Sequence, residues 1–152
     1  MRSLNPLAVP ALLVALTLPV CAAGIDDKPP DQQSINALQS KARLAPPREQ
    51  CFLYAELAHQ MTEYSLRQYA AGNVEQASDL LHQVQQMVHK VHNSLGDDNK
   101  RLKNAEILLR HTAFRLNEML RSSSVDDQPL VQETLAQVNE AQTQAMLQVF
   151  RK

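Results

Sequence analysis

The chain has 152 residues, one domain's worth on the usual scale of roughly 100–200 residues per domain, and a formal net charge of −1. That balance argues against a strongly basic nucleic-acid binder and against a polyacidic solvating tail. Hydrophobic residues make up 44%, enough for a core, while two cysteines and three glycines exclude a disulfide-stapled miniprotein and a glycine-rich phosphate loop.

Residues 1–23 stand apart from the rest. Arg2 is followed by the apolar run Leu7–Val20, interrupted by Pro10 and Pro19, and then by the small residues Cys21, Ala22, Ala23 and Gly24. A basic start, a short apolar region and a small-residue end predict a secretory signal peptide, cut after Ala22 or Ala23. The run is too short for a membrane span, which needs about 20 apolar residues. Cys21 raises lipoprotein processing, but Pro19 and Val20 before it match that signal poorly. The exported chain then carries one cysteine, Cys51, which is either a small side chain packed at the edge of the fold or half of an intermolecular disulfide. Residues 24–46 are expected to form a flexible leader, polar and proline-rich at first, with a short helix near 31–43 from the spacing of Ile35, Leu38 and Ala42.

No proline occurs between Pro47 and Pro129, and Gly72 and Gly96 punctuate that span. The first long helix is predicted from Pro47 to about residue 71, with Leu53, Tyr54, Leu57, Ala58, Met61 and Tyr64 on one broad face. Gly72-Asn73 is a turn. The second helix, about 74–94, carries Val74, Ala77, Leu81, Val84, Val88, Val91 and Leu95 at alternating steps of three and four, a sustained heptad stripe. Gly96-Asp97-Asp98 is the next break, with an aspartate available as N-cap. The third helix, about 99–121, repeats the pattern through Leu102, Ala105, Leu109, Thr112, Leu116 and Met119. A polar loop at 122–127 leads to a fourth helix opened by Pro129, with Leu135, Val138, Ala145 and Val149 as its stripe. No segment alternates with period two. The expected fold of residues 47–152 is therefore all-α, an antiparallel up-down four-helix bundle made of hairpins at about 47–94 and 99–151.

Several residue groups invite chemistry. Glu56/His59 and Asp79/His82 have the acidic-x-x-His spacing of di-metal bundles. At about 100° per residue both pairs point away from the apolar stripes, which predicts solvated faces rather than ligands. His82, His89 and His92 share one side of the second helix, and His89 and His92, one turn apart, are candidate surface ligands for Zn²⁺ or Cu²⁺. Covalent haem needs a Cys-x-x-Cys-His that is absent, and a haem held opposite Met61 would need an interior histidine; His111 falls on an outward position. Cys51 lies near a helix start, but no histidine base is placed to activate it, and no G-x-S-x-G motif is present. The run Lys100-Arg101-Leu102-Lys103 reads as a solvated face, with a phosphate-binding patch as its alternative.

Two resemblances add to this. Gly72-Asn73-Val74-Glu75-Gln76-Ala77 after Tyr69 resembles the turn of a single tetratricopeptide hairpin, in which small residues let two helices approach closely. The segments Pro46–Leu57 and Lys100–Glu106 look like those of uncharacterised secreted all-helical proteins of acidobacterial type, a resemblance that implies export and a helical domain. No cofactor is expected. The function expected is non-catalytic: an exported module binding a protein partner, a second copy of itself or the cell envelope, with Phe52, Leu66, Phe114 and Phe150 as spare apolar residues. The alternative is a periplasmic metal-binding bundle using His82, His89 and His92. Nucleic acid is not an expected partner, and no membrane-spanning segment follows the signal.

Overall fold

The computed structural model describes residues 28–151, which form five helices: α1 (Gln32–Leu44), α2 (Pro47–Ala70), α3 (Val74–Ser94), α4 (Leu102–Ser122) and α5 (Gln128–Val149). The expected signal peptide, Cys21 and the cleavage site lie outside the described residues. No strand is present among the described residues, and no described helix is long and apolar enough to cross a membrane.

Local chemistry sets most boundaries. Asp31 and Ser34 form a reciprocal capping box that starts α1: the Ser34 amide donates to the Asp31 carboxylate at 2.8 Å and the Asp31 amide donates to the Ser34 hydroxyl at 2.9 Å. Pro46 stops α1 and Pro47 opens α2 at a position whose amide has no helical partner in any case. Between α2 and α3 the Asn73 amide reaches the Gln68 carbonyl and the Gly72 amide the Tyr69 carbonyl, with Gly72 at φ +85°. This pair of bonds is a Schellman stop, and the positive φ is why glycine stands there.

The four long helices are present, and the short helix expected near 31–43 is present as α1. α1 is a full helix docked on α2, burying Ile35 and Ala42 completely. The packing order also departs from an up-down bundle. α2 packs on α3 and α4, α5 packs on α3 and α4, and the pairs α2/α5 and α3/α4 make no contact. Partner residues give the directions. Glu49/Lys100, His59/Thr112 and Glu63/Arg115 rise together along α2 and α4, so these helices are parallel. The Gln85 side chain donates to the Thr134 hydroxyl at 3.0 Å, and further along both helices Val88, His89 and His92 share a groove with Gln137, Glu140 and Ala141, so α3 and α5 are parallel too. Ser65/Ala77 and Glu106/Gln142 place α3 antiparallel to α2 and α5 antiparallel to α4. Two hairpins therefore lie side by side in the same orientation. The connector 95–101 must cross the end of the structure diagonally, because α3 and α4 occupy opposite corners.

This arrangement explains the core. Each long helix touches two others at separate angles, so its buried face is broader than one heptad seam. On α3, Leu80 and Met87 are buried beside the expected Ala77, Leu81, Val84, Val88 and Val91, while Val74 is exposed. α2 meets α1, α3 and α4, and nine of its residues are buried. Phe52, expected as a spare surface residue, is one of them, and Leu66 is half-buried against the core. Small residues at Ala55, Ala58 and Ala77 allow the close approach of α2 to its neighbours.

Cys51 is fully buried at the start of α2. Burial pushes its thiol up to about 11, against a smaller opposing effect of the Ser94 hydroxyl. At neutral pH it is a protonated core side chain, and a disulfide to another molecule would require the start of α2 to open. A thiol reagent added to the native protein at about pH 8 should react far more slowly than with the denatured chain, where the thiol titrates near 8.5. Equal rates would place Cys51 at the surface.

Candidate functional site

Three charged or polar regions stand out, and their geometry separates structural work from an open site. The first is a seam between α2 and α4. Arg115 on α4 donates from Nε to Glu63 at 2.6 Å and from a terminal nitrogen to the other Glu63 oxygen at 3.1 Å, and it also pairs with Glu118. The Glu63 hydrogen bond is the main reason the Arg115 guanidinium is held above its ordinary pKa. One turn earlier, His59 Nδ1 lies 3.3 Å from the buried Thr112 hydroxyl, and its ring centroid is 6.4 Å from that of His111. His59 was expected on a solvated face with Glu56. It is instead half-buried in the seam, because α4 covers a flank of α2 that a single-stripe reading leaves to water. Arg115, Glu63 and Glu118 are paired with one another across and along the seam, which joins the two helices.

The seam carries a pH consequence. Burial lowers the His59 pKa below its usual 6.5, with the charges of His111 and Arg115 acting in the same direction and Glu63 opposing. The unfolded chain therefore takes up the proton first. Stability should be level above about pH 6.5, fall as pH drops below it, and level off once the folded state is protonated too. Urea midpoints between about pH 7.5 and pH 5.5 should fall less in His59→Asn than in the parent. An identical fall in both proteins would assign the pH dependence elsewhere.

The second region is the histidine side of α3. His82, His89 and His92 are all exposed, and the His89 ring hydrogen-bonds the Asn93 amide at 3.0 Å. His89 and His92 border a shallow groove with Glu140 of α5. Among the described residues, no three His, Cys, Asp or Glu side chains group closely enough to hold a metal ion.

The third region is the end where α1, α3 and α5 finish and α2 and α4 begin. The diagonal connector builds it. The Lys100 amide donates to the Arg48 carbonyl at 2.8 Å, the Asn99 side chain donates to the Ser94 carbonyl at 2.8 Å, and Asp97 accepts from the Gln148 side chain. Arg101 then precedes α4 with φ +58°, the one non-glycine positive φ among the described residues. An aspartate cap was expected here. α4 instead starts at Leu102 with no side-chain cap, since Asp97 is engaged with α5. The left-handed conformation costs about 1 kcal/mol. It carries the Arg101 guanidinium over the Phe52 ring, 3.5 Å from the centroid, a contact that returns about 0.5–2 kcal/mol.

Arg101 divides two depressions. On one side is a cleft of about 180 Å³ lined by Lys41, Glu49, Phe52, Leu53, Lys100 and Arg101. On the other is a wider groove of about 570 Å³ running from Gly96 and Asp97 past Leu102 and Lys103 to Gln148 and Arg151. Lys41, Arg43, Arg48, Lys100, Arg101, Lys103 and Arg151, seven of the 15 basic residues, lie at this end, and among the described residues Glu49, Asp97 and Asp98 lie there with them. Exposed apolar side chains share it: Leu44 is 87% exposed, Phe150 77% and Leu147 57%. The opposite end differs. There the Tyr69 hydroxyl and Ser124 hold the Asp127 carboxylate at 3.1 and 2.6 Å, Glu75 and Asp126 add negative charge, and Val125 is the most exposed apolar side chain. Phe114, exposed as expected, lies between the two ends on α4.

Sequence reasoning saw the basic run 100–103 and Phe52 but had no means of joining them, because only the diagonal crossing brings the connector onto α2. Chemically this end can take up negative charge and cover apolar surface. No protein-family model matches this sequence, and comparison with curated proteins and with solved structures finds no similar chain.

Proposed function

We propose that this chain is an exported, non-catalytic helical module, a four-helix bundle of α2–α5 extended by α1, that works by docking its basic end on a negatively charged partner, either a protein or the cell envelope. The observation that carries this reading is the coincidence, at one end only, of seven cations with the exposed side chains Leu44, Leu147 and Phe150. Clustered cations raise the encounter rate with an anionic surface. Aromatic and arginine side chains supply most of the binding energy at protein contacts. The signal-like residues 1–23 support export.

A photo-crosslinking residue placed at Leu147 or Phe150, in the cell that exports the protein, should give a discrete adduct. The same residue at Val125, equally exposed and apolar but at the opposite end, should give none. Adducts from Val125 alone, or from all three positions alike, would overturn the assignment of this end as the contact surface.

A further inference from the structure

We propose that the cleft between Lys41, Phe52 and Arg101 binds a phosphate group, gripped by the edge of the Arg101 guanidinium. The inference deepens the docking reading above by naming the ligand chemistry of one part of that end.

Three separate stretches of chain converge here: Lys41 from α1, Glu49, Phe52 and Leu53 from α2, and Lys100 and Arg101 from the diagonal connector. Phe52 is buried, so its ring is a fixed platform, and the Arg101 guanidinium lies on it at 3.5 Å. The guanidinium carbon sits over the ring, and among the described residues no protein acceptor takes up the Arg101 side-chain N–H donors, which leaves a planar fork available. That fork matches two oxygens of a phosphate or carboxylate. Among the described residues, neither Arg101 nor Lys41 has a carboxylate within ion-pair distance, whereas Lys100 is held by Glu49 at 3.2 Å. Two uncommitted cations and a third shared with Glu49 leave the cleft with an excess of two positive charges. A phosphate monoester, close to a dianion at neutral pH, balances that excess better than a single carboxylate.

Size points the same way. At about 180 Å³ the cleft is the smaller of the two depressions and has room for a phosphate and a short substituent. Leu53 offers the substituent an apolar wall. The phosphate can come from a soluble monoester or from a lipid with a phosphomonoester headgroup, such as phosphatidic acid; the fork and the charge are the same for both.

The test is a titration of the whole protein with inorganic phosphate at constant ionic strength, followed by two-dimensional amide NMR. Saturable shifts are expected at residues 41, 49–53 and 99–102. Arg101→Gln and Lys41→Gln should each weaken binding, the former about tenfold or more. Arg121→Gln removes a cation at the opposite end, in the last turn of α4, and should leave the affinity unchanged. Phosphatidylcholine vesicles containing phosphatidic acid form the second arm. Co-sedimentation that Arg101→Gln abolishes and free phosphate competes away would identify a headgroup as the source. Phosphate binding without vesicle binding would identify a soluble ester. Shifts that rise without saturation at every cation, or an affinity unchanged in both Arg101→Gln and Lys41→Gln, would overturn the proposal. The crosslinking contrast between Phe150 and Val125 would stand in that event, since it does not depend on this cleft.

Discussion

Leu116→Ala should lower unfolding stability by about 3 kcal/mol. Leu116 is fully buried on α4, on the face that meets both α2 and α5. Truncating a buried leucine removes transfer free energy and leaves a cavity, and measured costs span about 2–5 kcal/mol. A domain of this size has a total of about 5–15 kcal/mol, so the loss is a large fraction of the whole. The thermal midpoint should fall by roughly 10 °C. Leu147→Ala is the matched control. It removes the same atoms from a side chain 57% exposed and should change stability by about 0.5 kcal/mol or less. Urea denaturation of both variants checks the pair. Equal effects would mean that Leu116 is not packed in the core between α4 and its neighbours.

Ile35→Asp should release α1 and leave α2–α5 folded. α1 packs on α2 alone, and Ile35 is its largest fully buried side chain. An unpaired carboxylate at that position would cost several kcal/mol if it stayed buried. A single helix of 13 residues has far less than that to lose by undocking, and alone it is marginal in water. Trypsin should therefore cut at Lys41 and Arg43 in the variant within minutes, while cleavage inside α2–α5 remains slow. Helical signal should fall by about a tenth, the share of one short helix. Cooperative loss of the whole structure would show instead that α1 is part of the central core. Loss of α1 also withdraws Lys41 from the phosphate cleft, so the same variant should weaken phosphate uptake without touching Arg101.

These two predictions mark where the sequence was legible and where it was not. The long helices were visible because Gly72, the proline pairs and the heptad stripes act within a few residues of where they are read. Leu116, Val84, Val138 and Ala145 fall on such stripes and are buried. A stripe identifies one inward face, however, and each long helix here has two or three neighbours. Hence Phe52, Leu80, Met87 and His59 were read as surface or passed over, although burial engages all four. α1 was seen as a short helix in a leader. Its docking was not legible, because two buried residues in 13 make a weak stripe.

The site was the least legible part. Its residues come from stretches around 41, 50, 100 and 150, and nothing in a linear reading says that the turn after α3 crosses diagonally rather than stepping to the nearest corner. The relevant signal was present in two halves: a basic run at 100–103, preceded by Asp97 and Asp98, and an aromatic at the start of α2 off the main stripe. Tertiary contact joined them as the Arg101–Phe52 stack. The histidines of α3 show the converse. Their spacing was conspicuous, yet the fold spreads His82, His89 and His92 along an exposed helix side instead of closing them around a point.

The most direct test of the binding account is native mass spectrometry of the protein purified from its own exported fraction. The account expects a polypeptide mass starting at Ala23 or Gly24, no stoichiometric metal, and a bound species that is lost in Arg101→Gln and Phe150→Ser. A stoichiometric zinc or copper ion that disappears when His89 and His92 become alanine, with nothing lost on changing Arg101 or Phe150, would contradict it.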